Sequence, residues 1–316
     1  MSDVWLVTSI KNEAPWLLEW ISYHRAIGFD RMLVYTNDNT DLTAELLQAL
    51  EPLDWFEWVP NELNGSQSPQ GVALDKAYRR LQDSDDWVFF ADADEFLNLK
   101  KHNNVKEFLR DYSDCSGVAI NWKVFGSDGR EQRGDGYVIE RFLRCASSQH
   151  PSGRHIKSFT RMNQLWRGLG LHRPLIKTSA IITDNMLVYT NKYQHDLLVQ
   201  GSATNSPEFP ILHDIAQVNH YMVKSKAEYA LKQRRGNGFR MDRSHAYSDK
   251  YFAMHDINQE SDKTILRFFD SMRSVYSCLL KELNLYSLME MIDEEYREFE
   301  IGFLKSLPGL HESEPR

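Results

Sequence analysis

Trp87-Val88-Phe89-Phe90-Ala91-Asp92-Ala93-Asp94-Glu95-Phe96-Leu97 is the stretch on which the reading of this chain turns. The apolar run from Trp87 to Ala91 reads as a buried strand, and its carboxyl end delivers two aspartates one residue apart. In open α/β sheets ligands bind beyond that end of the strands, and a carboxylate pair there suits a hard divalent cation and, through it, the diphosphate of a nucleotide. Asp-x-Asp by itself is an ordinary surface turn. The apolar strand before it and Glu95-Phe96-Leu97 after it favour a site, so a metal-dependent nucleotide enzyme is the leading expectation.

Outward from this strand, apolar runs alternate with amphipathic stretches. Val4 to Ser9 reads as a strand; Pro15 then opens a helix with Leu17, Trp20, Ile21, His24 and Ile27 on one face and Gly28 as its stop. Met32 to Tyr35 is strand-like, and Thr40 or Asp41 caps a helix carrying Leu42, Leu46, Leu47 and Leu50, ended by Pro52. Trp55 to Val59 is a third strand, Gln70 to Leu81 a third helix, and Trp87 to Ala91 the fourth strand. This βαβαβαβ series predicts a parallel sheet covered by helices on both faces.

The loops leaving those strands carry Lys11-Asn12-Glu13, Asn37-Asp38-Asn39-Thr40-Asp41, the polar stretch Asn61 to Pro69, and Asp92-Ala93-Asp94, which converge on one rim. Their amides and carboxylates suit a ribose or a base edge, although Asn37 to Asp41 equally suits a turn and helix cap. No Gly-x-Gly-x-x-Gly follows the first strand and no Gly-x-x-x-x-Gly-Lys-Ser/Thr occurs, which argues against dinucleotide redox chemistry and P-loop phosphoryl transfer. At 316 residues, 42% hydrophobic and 12% aromatic, the chain has ample core, and a net charge of -8 disfavours nucleic acid as a partner. Cys115, Cys145 and Cys278 are too scattered for a disulfide framework or zinc site. No export signal or apolar run of membrane-spanning length is visible, so a cytoplasmic location is expected, with peripheral membrane contact left open.

Several ordered motifs then match one pattern: Lys11-Asn12-Glu13 with Leu18 to His24, Tyr35 to Asp41, Ala91 to Leu97, and Asn219-His220-Tyr221 with Lys224-Ser225. Over about residues 4–240 the chain resembles the family 2-like glycosyltransferases, most closely their subgroup related to family 92. The resemblance implies a GT-A fold, a Rossmann-like mixed, mostly parallel sheet flanked by helices. It also implies a nucleotide-sugar donor, UDP-sugar above all, and a divalent ion, Mn2+ or Mg2+. Carried over, Asp92 faces the ribose or the metal and Asp94 binds the metal; Asn12, Glu13 and Asp38 line the nucleoside pocket, with Ser9, Lys11, Gln70 and Lys224 completing the donor site. The chain departs from the usual acidic turn of family 2, two aspartates, at Thr36-Asn37.

A neutral imidazole completes the octahedron of manganese beside carboxylates and phosphate oxygens, and the resemblance implies His220 in that role; a lone histidine is as readily structural. Lys224, Lys226, Lys232, Arg234 and Arg235 make the next segment basic, and Gly236-Asn237-Gly238 suggests a mobile turn that closes over the diphosphate. Most of these lysines read as a solvated helix face, Lys224 being the exception. Gly117 to Lys177 is expected to shape the acceptor side, with Trp122 or Phe125 as an apolar floor for a sugar ring. Inversion, implied by the resemblance, needs a base for the acceptor hydroxyl; Glu95, Asp135, Glu140 and His172 are the candidates, and Lys157 with His172 falls where the resembled proteins place residues facing the substrates.

Gly201 to Pro207 reads as a loop, an acceptor-side flap, and the tail beyond Pro308 as disordered. From Asp262 onward Ile265, Phe268, Phe269, Met272, Val275, Tyr276, Leu279 and Leu280 recur at helical spacing, a C-terminal lobe that packs on the catalytic domain or docks a partner. The expected organisation is a glycosyltransferase domain over 1–240, with a nucleotide-binding half at 1–100 and an acceptor half at 101–240, followed by a helical extension at 241–316. The expected activity is a hexosyl transfer from nucleoside diphosphate to a hydroxyl on a glycan or lipid-linked glycan of surface polysaccharide assembly. A metal-dependent phosphohydrolase or nucleotidyltransferase, or a non-catalytic nucleotide- or glycan-binding protein, is the alternative.

Overall fold

The computed structural model describes residues 2–65, 67–180, 186–192, 209–236 and 247–306. The stretch from Gly201 to Pro207, most of the turn after Gly236 and the tail beyond Pro308 lie outside them. Strands β1 (Val4–Ile10), β2 (Arg31–Thr36), β3 (Phe56–Pro60) and β4 (Trp87–Phe90) alternate with helices α1 (Ala14–Ala26), α2 (Thr43–Leu50) and α3 (Pro69–Leu81). β1 pairs in parallel with both β2 and β4, and β2 with β3. Ser68 caps α3, and the Asp41 carboxylate accepts from the Thr43 amide where α2 begins.

Side chains alternate between the two faces of these strands. Leu6, Met32, Val34 and Phe89 join the core under α1 and α2, whereas Val7, Leu33, Tyr35, Val88 and Phe90 pack against Ala73, Leu74, Ala77 and Leu81 of α3. With both faces covered, the strands are continuously apolar, which is why they were readable as buried.

Beyond β4 the sheet becomes mixed. Antiparallel β7 (Ile156–Arg161) is wedged between β4 and β6 (Gly117–Val124), and β8 (Ala216–His220) runs parallel to β6 and antiparallel to β5 (Glu95–Leu99). The connection from β6 to β7 holds the short helix α5 (Val138–Arg141), a two-residue strand at Arg144–Cys145 and a 3-10 turn, and β7 returns antiparallel to β6. β5 follows β4 after four residues and leads into α4 (Val105–Arg110), and the β5–β8 register sets His220 opposite Glu95.

The C-terminal stretch forms α7 (Asp249–His255), α8 (Phe269–Glu282) and α9 (Tyr286–Ser306). Ile265, Phe268, Met272, Leu279, Leu285, Ile292 and Tyr296 belong to the same hydrophobic cluster as Trp16, Leu17 and Trp20 of α1. The helical extension is therefore packed into the main core, and its apolar stripe is covered by the chain's own first helix.

Candidate active site

Asp92 and Asp94 leave β4 at the carboxyl edge of the sheet and differ in environment. The Asp92 side chain is 29% exposed; Gln70 Nε2 donates to its Oδ1 at 2.6 Å and Lys157 Nζ sits 3.0 Å from its Oδ2. Asp94 is buried, with Lys232 Nζ 2.6 Å from Oδ2 and His220 Nε2 3.3 Å from Oδ1. Burial works to raise the Asp94 pKa, yet the Lys232 ammonium and His220 outweigh it and hold this carboxyl well below its ordinary value.

Behind the pair sits a buried Lys157–Glu95 ion pair of 2.9 Å, and Glu95 Oε2 also accepts from the Asp92 amide at 2.8 Å. Burial, only partly offset by Lys157, raises the Glu95 carboxyl to about 7. Its other oxygen faces His220 Nδ1 at 3.8 Å, and both atoms are buried without a hydrogen-bond partner. A carboxylate behind one imidazole nitrogen orients the other forward, the relation that supports metal-ligating histidines. Nε2 and Asp94 Oδ1 are spaced like neighbouring ligands of an octahedral ion, whose ligand atoms stand roughly 3 Å apart when each bond is about 2.1 Å. A carboxylate oxygen suits Mn2+ or Mg2+, and an imidazole nitrogen beside it favours Mn2+ of the two. Among the described residues, no three His, Cys, Asp or Glu side chains are gathered tightly enough to hold an ion alone.

Helix α6 (Lys226–Arg235) brings the positive charge. Ser225 and Glu228 form its capping box, and Arg141 grips the buried Glu228 through two bonds of 2.9 and 2.8 Å. Arg141 belongs to α5, whose first amides, Val138 and Ile139, donate to the buried Glu19 of α1 at 2.8 and 3.1 Å. This relay from α1 through α5 swings α6 over the aspartates. Lys232 is thereby buried, bonding the Met222 carbonyl at 2.8 Å as well as Asp94, and Arg235 pairs with Glu13. The expectation of a solvated face fails for Lys232, because helix placement by a remote buried ion pair leaves no local mark in sequence. Lys224 is also buried, at φ 54°, with Nζ 4.3 Å over the Trp16 ring. Burial draws its ammonium down to about 8 against the pull of Asp94.

These groups border a cavity of about 850 Å³. Of the sequence candidates, Ser9, Lys11, Asn12, Glu13, Asp38, Gln70, Asp92, Asp94 and His220 line it. Asn12 and Asp38 hold φ of 52° and 46°, and Asn12 bonds Thr40 in both directions, clasping the first loop to the second. Lys224 lines a small adjoining cavity beside Asp94. Glu95, Lys157 and His172 stand behind the wall: His172 Nδ1 bonds the Ile156 carbonyl at 2.9 Å, and burial lowers its pKa to about 4. Asp135 and Glu140 are exposed elsewhere, Glu140 accepting from the Tyr137 amide. No base candidate from the sequence is thus brought to the cavity wall. Phe125 is fully buried against Tyr221, whereas Trp122, stacked on by His155 and met edge-on by His220, lines the cavity. Two contributions to the wall were not singled out in the sequence: Tyr247 with Tyr251, and a stripe on α9.

The sequence profile of glycosyltransferase family 92 matches residues 7–221, from β1 to the residue after His220. A glycosyltransferase family 92 protein of Oryza sativa subsp. japonica is 32% identical over 106 residues, 34% of this chain and 18% of that protein. One of Arabidopsis thaliana is 24% identical over 234 residues, 69% of this chain and 35% of that protein. The chain thus spans well under half the length of either relative. Among solved structures, S. aureus TarS 1-349 in complex with UDP-GlcNAc aligns over 96% of this chain and 92% of that one, at 14% identity and a TM-score of 0.35. With the profile covering both aspartates, His220 and the strands that carry them, the chain belongs to glycosyltransferase family 92.

Proposed function

We propose that the cavity binds a nucleoside diphosphate sugar, a UDP-sugar as the resemblance implies, and that the protein transfers the sugar with inversion to a hydroxyl of a glycan or lipid-linked glycan. The observation that carries this reading is the Asp94–His220 pair, with Lys232 and Arg235, in the wall of a cavity large enough for a nucleotide sugar. Asp94 Oδ1 and His220 Nε2 would hold Mn2+ or Mg2+, with Asp92 adjacent and phosphate oxygens completing the sphere. Such an ion supplies charge neutralisation to the diphosphate as it departs. Lys232 keeps Asp94 ionised and adds a fixed positive charge at the leaving group, while Lys157 and Glu95 hold Asp92 in place from behind.

The test is incubation with Mn2+ and a panel of UDP-sugars, with products resolved by chromatography and the anomeric configuration read by NMR. Release of UDP with a glycosidic product of inverted configuration supports the proposal. Release of UMP and sugar phosphate, or of inorganic phosphate, contradicts it and favours a phosphohydrolase or nucleotidyltransferase.

A further inference from the structure

The C-terminal helix α9 contributes to the cavity although it lies beyond the family match, which ends at residue 221. Ile292, Glu295, Tyr296 and Phe299 form one i, i+3, i+4, i+7 face, and all four line the cavity. The helix is fixed there. Arg133 pairs with Asp293 at 2.8 Å, donates its amide to Glu300 at 2.7 Å, reaches the Pro15 carbonyl at 3.3 Å and stacks over Tyr296. Tyr296 in turn meets Trp16 of α1 edge-on. The Glu295 carboxylate lies against Leu42 and Asp41, beside the loop after β2 that carries Asp38.

One part of the cavity wall sets the cations Lys232 and Arg235 against Asp94 and Glu13. Another gathers Glu295 beside Asp41, with Asp38 on the same loop and Ile292 and Phe299 on the same helix face. Ionised carboxylates only accept hydrogen bonds and repel phosphate, so the ligand group met there is a neutral hydrogen-bond donor with an apolar face. A nucleoside has both, in its ribose hydroxyls and base N–H groups and in the flat base.

We infer that α9 is a specificity-determining wall of the nucleoside pocket, with Glu295 accepting from the ribose or base and Phe299 packing against the base. The inference rests on the donor-site reading above and deepens it. The test uses the full chain with Mn2+ and calorimetric titration of UMP, UDP and AMP into wild type, Glu295→Gln, Phe299→Ala and, for the cationic part of the wall, Lys232→Met. Both α9 variants are expected to weaken UMP and UDP by the same factor, roughly tenfold, as for one lost charge-assisted bond or packing contact. They are also expected to narrow the preference for UMP over AMP, whereas Lys232→Met weakens UDP far more than UMP. Wild-type affinities in both α9 variants, equal loss for UMP and AMP, or a loss confined to UDP would overturn the inference. A wild type that binds neither UMP nor UDP would instead overturn the donor-site reading beneath it.

Discussion

Two parts of the cavity wall are built differently. The loop part is local: Lys11 to Glu13 and Asn37 to Asp41 leave neighbouring parallel strands, and Asn12 clasps Thr40 directly. The cationic part is assembled over distance, since Lys232 reaches Asp94 only because Glu19 holds α5, Arg141 holds Glu228, and α6 follows. Loops on a sheet edge are placed by the sheet, whereas a helix that crosses the site needs a buried ion pair to fix its pose. A change in the loop part should alter one contact, and a change in the relay should move several.

The largest expected effect is at the junction. Asp94→Asn removes the charge that Lys232 and His220 share and that the proposed metal would use, and the proposed sugar transfer should fall by about 10³-fold or more, read in steady-state kinetics, while Asp38→Asn costs roughly tenfold. Next is the relay. Glu228→Gln leaves the Arg141 guanidinium uncompensated in the interior and should cost about 3–5 kcal/mol in denaturant unfolding. Burial works to raise the Glu228 pKa, but Arg141 holds it down at about 2 against its ordinary 4.5. Its contribution to stability is therefore complete above pH 4.5 and lost as pH falls toward 2. The wild-type unfolding free energy should fall across that window, and the Glu228→Gln curve should be flatter. The smallest of these effects is Lys232→Met, expected to weaken UDP by roughly tenfold and UMP little, a split that calorimetry reads directly.

The loop part was legible and the relay was not, for one physical reason. Continuous apolar runs and helical periodicity report burial close in sequence, so β1 to β4 and the three helices between them fall within a few residues of their expected places, and the aspartates sit where the fourth strand ends. Long-range register is not encoded that way. The pairing of His220 with Glu95 left no mark in the sequence, where the resemblance implied only His220 as a metal ligand, and Lys232 looked like any lysine on a basic helix. The stripe from Ile292 to Phe299 has helical spacing, but spacing does not say what a face covers. Base candidates chosen by residue type alone, Asp135 and Glu140 among them, proved to be exposed away from the cavity, because chemistry does not imply position.

The most direct test of the central claim is titration of UDP into the protein with Mn2+ and again with chelator, on wild type and on Asp94→Ala. Binding that requires Mn2+ and disappears in Asp94→Ala is the result predicted by the Asp94–His220 pair. UDP binding of equal strength in chelator, or retained by Asp94→Ala, would contradict it and assign the diphosphate to the lysines and arginines alone.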